Sequence, residues 1–532
     1  MSKYIFVTGG VVSSLGKGIT AASLGRLLIE RGIKVNVLKL DPYLNINPSN
    51  MDPEQHGEVF VTFDGHESDL DLGHYERFLD INCSKRSNFT SGRIYSNIFA
   101  KDRAGEYGGA TIQVVPHVTG EIKNVMRNAG GDADVVIIEI GGTVGDMEGL
   151  SFLEAIRQFE RELGVGNYLH IHCTLVPFIE SAGEVKTKPT QHSVKELTSL
   201  GLTPDIIVCR TNKGVDITEQ NKKKIAMFCN LDSPKCVIHN PDCSSIYEVP
   251  LVIANQNMDE LVCNALQLKA TKLNISKWKK MVETMNSDMP SINVAIVGKF
   301  MEVRDSYISV IEAVKHAGLH NKYKVNLEIV SCEEIEKRGA KALLKGFDGV
   351  IMPDGVGDNG NEGMILTAKY CRENKVPFLG LVLGMQMAVI EFARNVAKLK
   401  GANTTEFFSD LKNPVIDINP ISKEDGLMRL GNYTCVLANN SKAKKLYGVS
   451  EIEERHRNMY EVNGEYVKAL EEAGMVIAGV NKETNFVELI EYADHPFFMA
   501  SIYHAEFLSR PYRAHPLFIG FVKGCINSHK TK

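Results

Sequence analysis

The sequence predicts an α/β protein with parallel sheets and more than one domain, and three observations carry that expectation. First, a short apolar strand, Tyr4-Ile5-Phe6-Val7, enters a glycine-rich loop at residues 8–20 and then an apolar-periodic segment, 21–29, that reads as a helix. Second, apolar runs at 34–42, 133–143 and 205–210 have the composition of buried strands and deliver polar residues at their ends. Third, residues 377–386 have the form of a strand turning sharply between glycines into a helix. A chain of 532 residues has room for roughly two or three domains, each with its own core. The expected organisation is a P-loop-type parallel-sheet domain over 1–270, a linker helix over 271–290 and a second α/β domain over 291–532.

The loop Thr8-Gly9-Gly10-Val11-Val12-Ser13-Ser14-Leu15-Gly16-Lys17-Gly18-Ile19-Thr20 is built to surround phosphate. Backbone N–H groups and a helix N-terminus supply partial positive charge, and Lys17 supplies a full one. The match to the P-loop pattern is imperfect. The first glycine of the pattern would fall at Val11, and Gly18 follows the lysine where a hydroxyl residue is usual, leaving Ser13, Ser14 or Thr20 to serve a metal.

The chain as a whole narrows the field. A net charge of −5 and the lack of a long basic run argue against nucleic acid as partner. The eleven cysteines show neither C-x-x-C pairs nor metal spacing, which fits reduced thiols in a cytoplasmic protein. No apolar run reaches membrane-spanning length, and the N-terminus enters a strand at once, so neither membrane nor signal peptide is expected.

Along the first half, the strand over 34–42 ends in Lys39 and Asp41, where ligands of parallel sheets gather. An acidic cluster, Asp69-Leu70-Asp71, and the strand end at Glu139 provide carboxylates of the kind that hold Mg²⁺ near transferring phosphate. Asp71 and Glu139 are the candidate metal pair. Residues 183–191 offer two lysines and a glutamine in one loop suited to a second polyanion, and Asp242 stands in a further nucleotide-like loop.

These stretches, together with Gln55-His56-Gly57-Glu58-Val59-Phe60 and Glu139-Ile140-Gly141-Gly142-Thr143-Val144-Gly145-Asp146, closely resemble the CTP synthase family, and the resemblance runs through almost the whole chain. It implies an amidoligase domain joined to a class I glutaminase-type domain. The family's ligase uses ATP and Mg²⁺ to phosphorylate the 4-oxygen of UTP, and an amine then displaces the phosphate. Carried over by position, Ser14, Leu15, Gly16, Lys17, Gly18, Ile19, Asp71 and Asp242 would hold ATP, and Asp71 and Glu139 the metal. Lys17 and Lys39 would stabilise the transferring phosphate. Ser13, Asp146, Met147, Glu148, Lys186, Thr187, Lys188, Pro189, Thr190, Gln191 and Lys224 would hold UTP or CTP. A homotetramer is the family's assembly.

The chain departs from the family in two places. The loop that lids the meeting point of ammonia and activated UTP, near His56 in the family, reads Arg103-Ala104-Gly105-Glu106-Tyr107-Gly108-Gly109. Ala104 stands for a basic residue, Glu106 for an Asp and Gly108 for a Leu, which removes bulk. In the second half the glutaminase nucleophile's place holds Val382, although the base and acid, His504 and Glu506, remain. Asp354 replaces an oxyanion-loop glycine and Met459 a glutamine-binding arginine. Valine has no thiolate to form an acyl-enzyme, so the expectation is an inactive glutaminase and a ligase fed by free ammonia or another small amine. The alternatives are a non-catalytic paralogue that regulates an active enzyme, and a P-loop ATPase of the partitioning type.

Overall fold

The computed structural model describes residues 2–12, 15–301 and 304–531. Ser13 and Ser14, expected at the nucleotide sites, lie outside the described residues. The chain forms two compact units. The first comprises Met1–Pro48 and His74–Thr284, the second Ser49–Gly73 and Met285–Lys532. The segment Ser49–Gly73 therefore belongs with the second unit although it lies inside the first in sequence, an excursion that no local pattern announces. Among the described residues no helix is long and apolar enough to cross a membrane, and all eleven cysteines are free.

The first unit is a seven-stranded sheet in the spatial order Val237–Pro241, Ile206–Thr211, Tyr168–Leu175, Lys3–Gly9, Val135–Ile140, Val35–Asp41 and Asn88–Thr90. Every neighbouring pair is parallel. The central strands are buried along nearly their whole length, which explains their near-continuous Val/Ile/Leu composition. The helix after the glycine-rich loop runs Lys17–Glu30, one turn earlier than its apolar period indicated. Residues from Thr20 to Leu28 are buried, so it is an interior helix with no solvent stripe to mark its start. Thr20, a sequence candidate for metal binding, is instead fully buried, and its hydroxyl donates to the Gly16 carbonyl at 2.9 Å.

The expected linker helix forms over Ser276–Met285. Its buried residues, Trp278, Met281 and Val282, follow the helical spacing of one face. Trp278 is 1% exposed and packs on Phe78 and Tyr247 at centroid distances of 5.6 and 5.8 Å. Its indole N–H donates to the Tyr247 carbonyl at 2.8 Å. This stretch is an anchor of the first unit as much as a connection.

The second unit carries a nine-stranded sheet: Lys324–Ser331, Ser291–Gly298, Gly349–Met352, Phe378–Leu381, Phe498–Ser501, Val487–Tyr492, Met475–Asn481, Arg429–Leu437 and Glu451–Asn458. The first five are mutually parallel, and the remaining four extend the sheet antiparallel. The excursion Ser49–Gly73 is tied in by named bonds: Glu58 accepts from the Ser309 N–H at 2.9 Å, Arg457 pairs with Glu67 at 2.9 Å, and Arg455 donates to the Val61 carbonyl at 3.0 Å.

Replacing Trp278 by Ala removes a fully buried aromatic and its hydrogen bond to the Tyr247 carbonyl. A loss of about 3–5 kcal/mol is expected for the first unit, read as a lower denaturation midpoint for that unit. An unchanged midpoint would show that this helix is not part of its core.

Candidate functional site

Three strand ends meet at the phosphate loop of the first unit. The parallel register sets Val7 of Lys3–Gly9 and Lys39 of Val35–Asp41 on either side of Glu139. Lys17 opens the helix directly after Gly16, whose φ of 76° turns the loop into it. The Lys17 ammonium is 8% exposed and donates to the Gly142 carbonyl at 2.7 Å. Burial lowers its pKa, Glu139 opposes the shift and Lys39 adds to it. Lys39 lies 3.6 Å from Asp41, which also accepts from the Asn88 side chain at 2.7 Å. Glu139, 3% exposed, accepts a short hydrogen bond from the Tyr75 hydroxyl. Burial and then Glu139 itself raise the Tyr75 pKa, so the phenol stays a donor.

Lys17, Lys39 and Glu139 are thus brought together, with Asp41 beside them. Asp242 lies just past the strand Val237–Pro241 and pairs with Arg210 at 2.5 Å. Arg210 also approaches Gly16, since a Cβ there would come within 4.0 Å of its Nε. Sequence reasoning missed both Arg210, noted only as the last residue of a strand, and Tyr75. Leu15, Gly18 and Ile19 sit where the loop becomes the helix. Asp71 is the first residue of the helix Asp71–Leu79 and, with His56, falls in the second unit by contact.

The second-polyanion stretch is not the single loop that its composition indicated. Lys186 follows a two-strand turn, Phe178–Ile179 with Glu184–Val185, and pairs with Glu184. Lys188, Pro189, Thr190 and Gln191 form the first turn of the helix Lys188–Ser199, because Pro at the helix start is favourable and Thr187 leads into it. Thr190 is fully buried against Thr174 at 2.9 Å, and Gln191 donates to the Thr187 hydroxyl at 3.1 Å. These two hydroxyls are internal braces, which leaves Lys186, Lys188 and exposed Lys224 as the groups open to a ligand. Asp146 accepts from the Thr143 N–H at 3.2 Å, and Met147 and Glu148 are exposed. In the lid loop Ala104, Glu106 and Gly108 are all exposed. A Cβ at Gly108 would meet nothing within 4 Å, yet its φ of 58° makes any larger residue strained.

Among the described residues no cluster of three or more His, Cys, Asp or Glu side chains is arranged to hold a metal. Two carboxylates are buried among these lysines, Glu139 and Asp41, and each is a hard oxygen donor of the type Mg²⁺ takes singly or in pairs, completing its shell with phosphate and water.

In the second unit the turn after Phe378–Leu381 places Val382 at φ 50°, ψ −102°, its N–H bonded to the Ser501 carbonyl at 2.7 Å. Positive φ at a β-branched residue is a genuine outlier. His504 is 4% exposed, shares a 2.7 Å hydrogen bond with Glu506 through Nδ1 and stacks on Phe507 at 4.6 Å. Asp354 stands 4.0 Å from its other nitrogen, Nε2. Burial alone would lower the His504 pKa; Glu506 and then Asp354 overcome it, and the net shift is upward. Nearby, burial and Asp354 push Glu406 up to about 7, and burial lowers Lys299. Gln386 donates to the Tyr460 carbonyl at 3.1 Å, while the Met459 carbonyl accepts from the Asn419 backbone and side chain.

Comparison with known proteins decides the family. The family model of the CTP synthase N-terminus matches residues 3–268, and that of class-I glutamine amidotransferases matches residues 302–524. A CTP synthase of Caldanaerobacter subterraneus subsp. tengcongensis is 53% identical over 99% of both chains. The chain belongs to the CTP synthase family. A CTP synthase of Shouchella clausii is 51% identical, again over 99% of both chains. The solved glutaminase domain of Trypanosoma brucei CTPS with bound acivicin matches 44% of this chain and 94% of its own, at 32% identity and a TM-score of 0.43. In this family setting, the second unit combines a preserved elbow and His504–Glu506 pair with a side chain at Val382 that carries no nucleophile.

The raised His504 pKa means its stabilising pairing is complete below the unfolded value of about 6.5 and is lost as pH rises through the folded value. Asp354→Asn removes one of the two carboxylates and is expected to move the imidazole titration to lower pH, read by NMR of the ring. A titration that stays in place would show that Asp354 does not act on His504.

Proposed function

We propose that this CTP synthase family member is an ATP-dependent ligase that aminates UTP at ring position 4 without hydrolysing glutamine. The nitrogen comes from solution, as ammonia giving CTP or as another small amine giving an N4-substituted CTP. The observation that carries the reading is the contrast between the units: Lys17, Lys39 and Glu139 converge on the phosphate loop, whereas Val382 occupies the elbow beside His504. A carboxylate at Asp354 also opposes any negative charge that would develop at a substrate oxygen there.

In this reading the loop N–H groups and Lys17 hold the ATP phosphates. Lys39, buried next to Asp41, meets the transferred group as it passes to the UTP 4-oxygen. The amine attacks the ring carbon, phosphate departs with the C–O bond electrons, and the amine proton goes to solvent. Asp71 and Glu139 would hold Mg²⁺, with Tyr75 fixing the orientation of Glu139. When bound, the metal supplies neutralisation of phosphate charge. Lys186, Lys188 and Lys224 supply cations for UTP, and Arg210 with Asp242 frames the ATP side. The exposed, side-chain-poor lid at Ala104 and Gly108, with Glu106 as a carboxylate, suits an amine larger than ammonia. A cytoplasmic homotetramer completes the proposal, by likeness to the family.

Phosphate release is expected to require ATP, UTP and an added amine together. Lys17→Ala or Glu139→Ala should reduce it at least about 10²–10³-fold, the cost of one lost charge-stabilising group. Mass spectrometry of the UTP-derived product across ammonia, hydrazine, methylamine and amino acids identifies the nitrogen donor. Phosphate release that needs no UTP would point to a plain ATPase and overturn the reading.

Glutamine is expected to fail as donor, and Val382→Cys alone to leave glutamate release undetectable, because a restored thiol would still face Asp354 and lack a cation at Met459. Measurable glutamate from either protein would contradict this.

A further inference from the structure

In the first unit the strand that enters the phosphate loop is tied to its surroundings by a buried chain of hydrogen bonds. The Thr8 hydroxyl, near the end of Lys3–Gly9, lies 3.0 Å from His170 Nε2 and 2.8 Å from His172 Nδ1. Both rings are fully buried and stand on the neighbouring strand, Tyr168–Leu175, two residues apart and so on one face of the sheet. The far nitrogen of each ring carries the chain onward. His170 Nδ1 lies 3.4 Å from Glu160 on the helix Leu150–Leu163, and His172 Nε2 lies 2.8 Å from the Ser193 hydroxyl on the helix Lys188–Ser199. Asp205, the other acid close to His170, accepts from its backbone N–H at 2.7 Å.

The chain ends against the glycine turn. A Cβ on Gly10 would fall 1.8 Å from Ser193 Oγ and 3.3 Å from His172 Nε2, so the loop backbone lies directly on this pair. The Gly10 N–H donates to the carbonyl of Cys173, the residue after His172, at 3.1 Å. A Cβ on Gly9 would meet Lys17 Cδ at 2.7 Å, so the stem of Lys17 rests on the same turn. What supports Gly10 therefore supports the lysine. Ser193 in turn belongs to the helix that opens with Lys188, a cation for UTP in the ligase reading. His172 thus joins two elements, the ATP strand through Thr8 and the UTP helix through Ser193. A neutral imidazole suits the place, with one donor and one acceptor nitrogen between two hydroxyls that can each play either part. Burial first, then His170 and Lys17, lower its pKa to about 3, so the ring stays uncharged and does not repel the Lys17 ammonium.

We propose that His172 is a positioning residue for phosphoryl transfer, a clamp that fixes the Gly9–Gly10 turn under ATP to the helix carrying Lys188 and so sets the distance over which the phosphate passes. The proposal rests on the ligase reading and deepens it by naming what aligns the two nucleotides. Neither nucleotide touches the ring. Each keeps its own contacts when the clamp is cut, and only their mutual alignment is lost. A misplacement of about 1 Å between reacting groups can cost about 10²-fold in rate.

Steady-state phosphate release by the full chain, with ATP, UTP and ammonium, separates alignment from binding. Ser193→Ala removes the hydroxyl and keeps a good helix former, and His172→Phe keeps a ring without its nitrogens. Each is expected to lower kcat at least about tenfold while KM for ATP and for UTP stays within about threefold. The double variant should lose no more than the worse single one, because both cut the same link. His172→Gln, with one donor and one acceptor, should recover part of the rate lost in His172→Phe. Losses carried by KM, additive losses, or an unchanged kcat in Ser193→Ala at an unchanged melting temperature would overturn the clamp and leave His172 a core residue. Hydrogen exchange read by mass spectrometry keeps this claim apart from the ligase reading. Faster exchange of both 8–12 and 188–199 in Ser193→Ala is expected whether or not the chain turns over, and unchanged exchange in either segment would overturn the clamp. A wild-type chain that releases no phosphate with any amine would sink the ligase reading and leave the exchange result standing.

Discussion

The arrangement of the first unit depends on one constraint, the parallel register that makes Glu139 the lateral neighbour of both Val7 and Lys39. Parallel strands all finish on the same edge, so the loop after one strand, the lysine of the next and the acid of the strand between them cannot avoid each other. Two buried ammonium groups in one place are costly unless negative charge is close. Glu139 and Asp41 supply part of it, and the downward pull of burial on Lys17 measures what remains unsatisfied. The Tyr75 hydroxyl and the Asn88 amide each donate to one of these carboxylates.

The second unit has the opposite imbalance. Where the first unit gathers cations, the pocket at His504 gathers carboxylates, with Arg457 and Lys299 as nearby cations. Glu506 and Asp354 act on the His504 imidazole, and burial first and Asp354 second push the Glu406 carboxyl up to about 7. An acyl-transfer site needs the reverse, donors aimed at a developing oxyanion. The two units therefore differ in the sign of the charge that each would welcome. That difference sets a reading in which both glutamine chemistry and ligation survive against one in which only ligation does.

What could be read from the sequence follows from how local each signal is. The parallel strands and the lysine and acid at their ends were legible because buried strands are continuous apolar runs and their ends are marked by polar residues. The elbow at Val382 was legible because its glycines flank it in sequence. Tyr75 and Arg210 were not, since each matters only through a partner brought close by the fold: Glu139 for one, Asp242 and Gly16 for the other. Composition also misled where it could not see burial. Thr20 and Thr190 looked like ligand hydroxyls and are internal braces. The four antiparallel strands of the second sheet carry charged residues such as Arg429, Glu454 and Glu488 in buried positions, Arg429 paired with Glu461 and Glu488 and Glu454 with His515, so their runs did not read as core. The excursion Ser49–Gly73 is held by Glu58, Glu67 and Val61 to residues hundreds of positions later, and no local period records that.

The backbone at Val382 bears on how such a pocket changes. A residue held at φ 50° costs on the order of 1–3 kcal/mol and persists only where its surroundings over-determine it. Here they do: the Val382 N–H is taken by Ser501, and a Cβ at the following Gly384 would fall 2.0 Å from the Met352 carbonyl oxygen, so the turn cannot relax. The strain is imposed by sheet packing, and the β-branched side chain of Val382 adds to it. Val382 is 3% exposed, and its side chain makes no hydrogen bond. The elbow is thus held by its backbone and by the packing around it, and not by any polar group of the side chain at Val382.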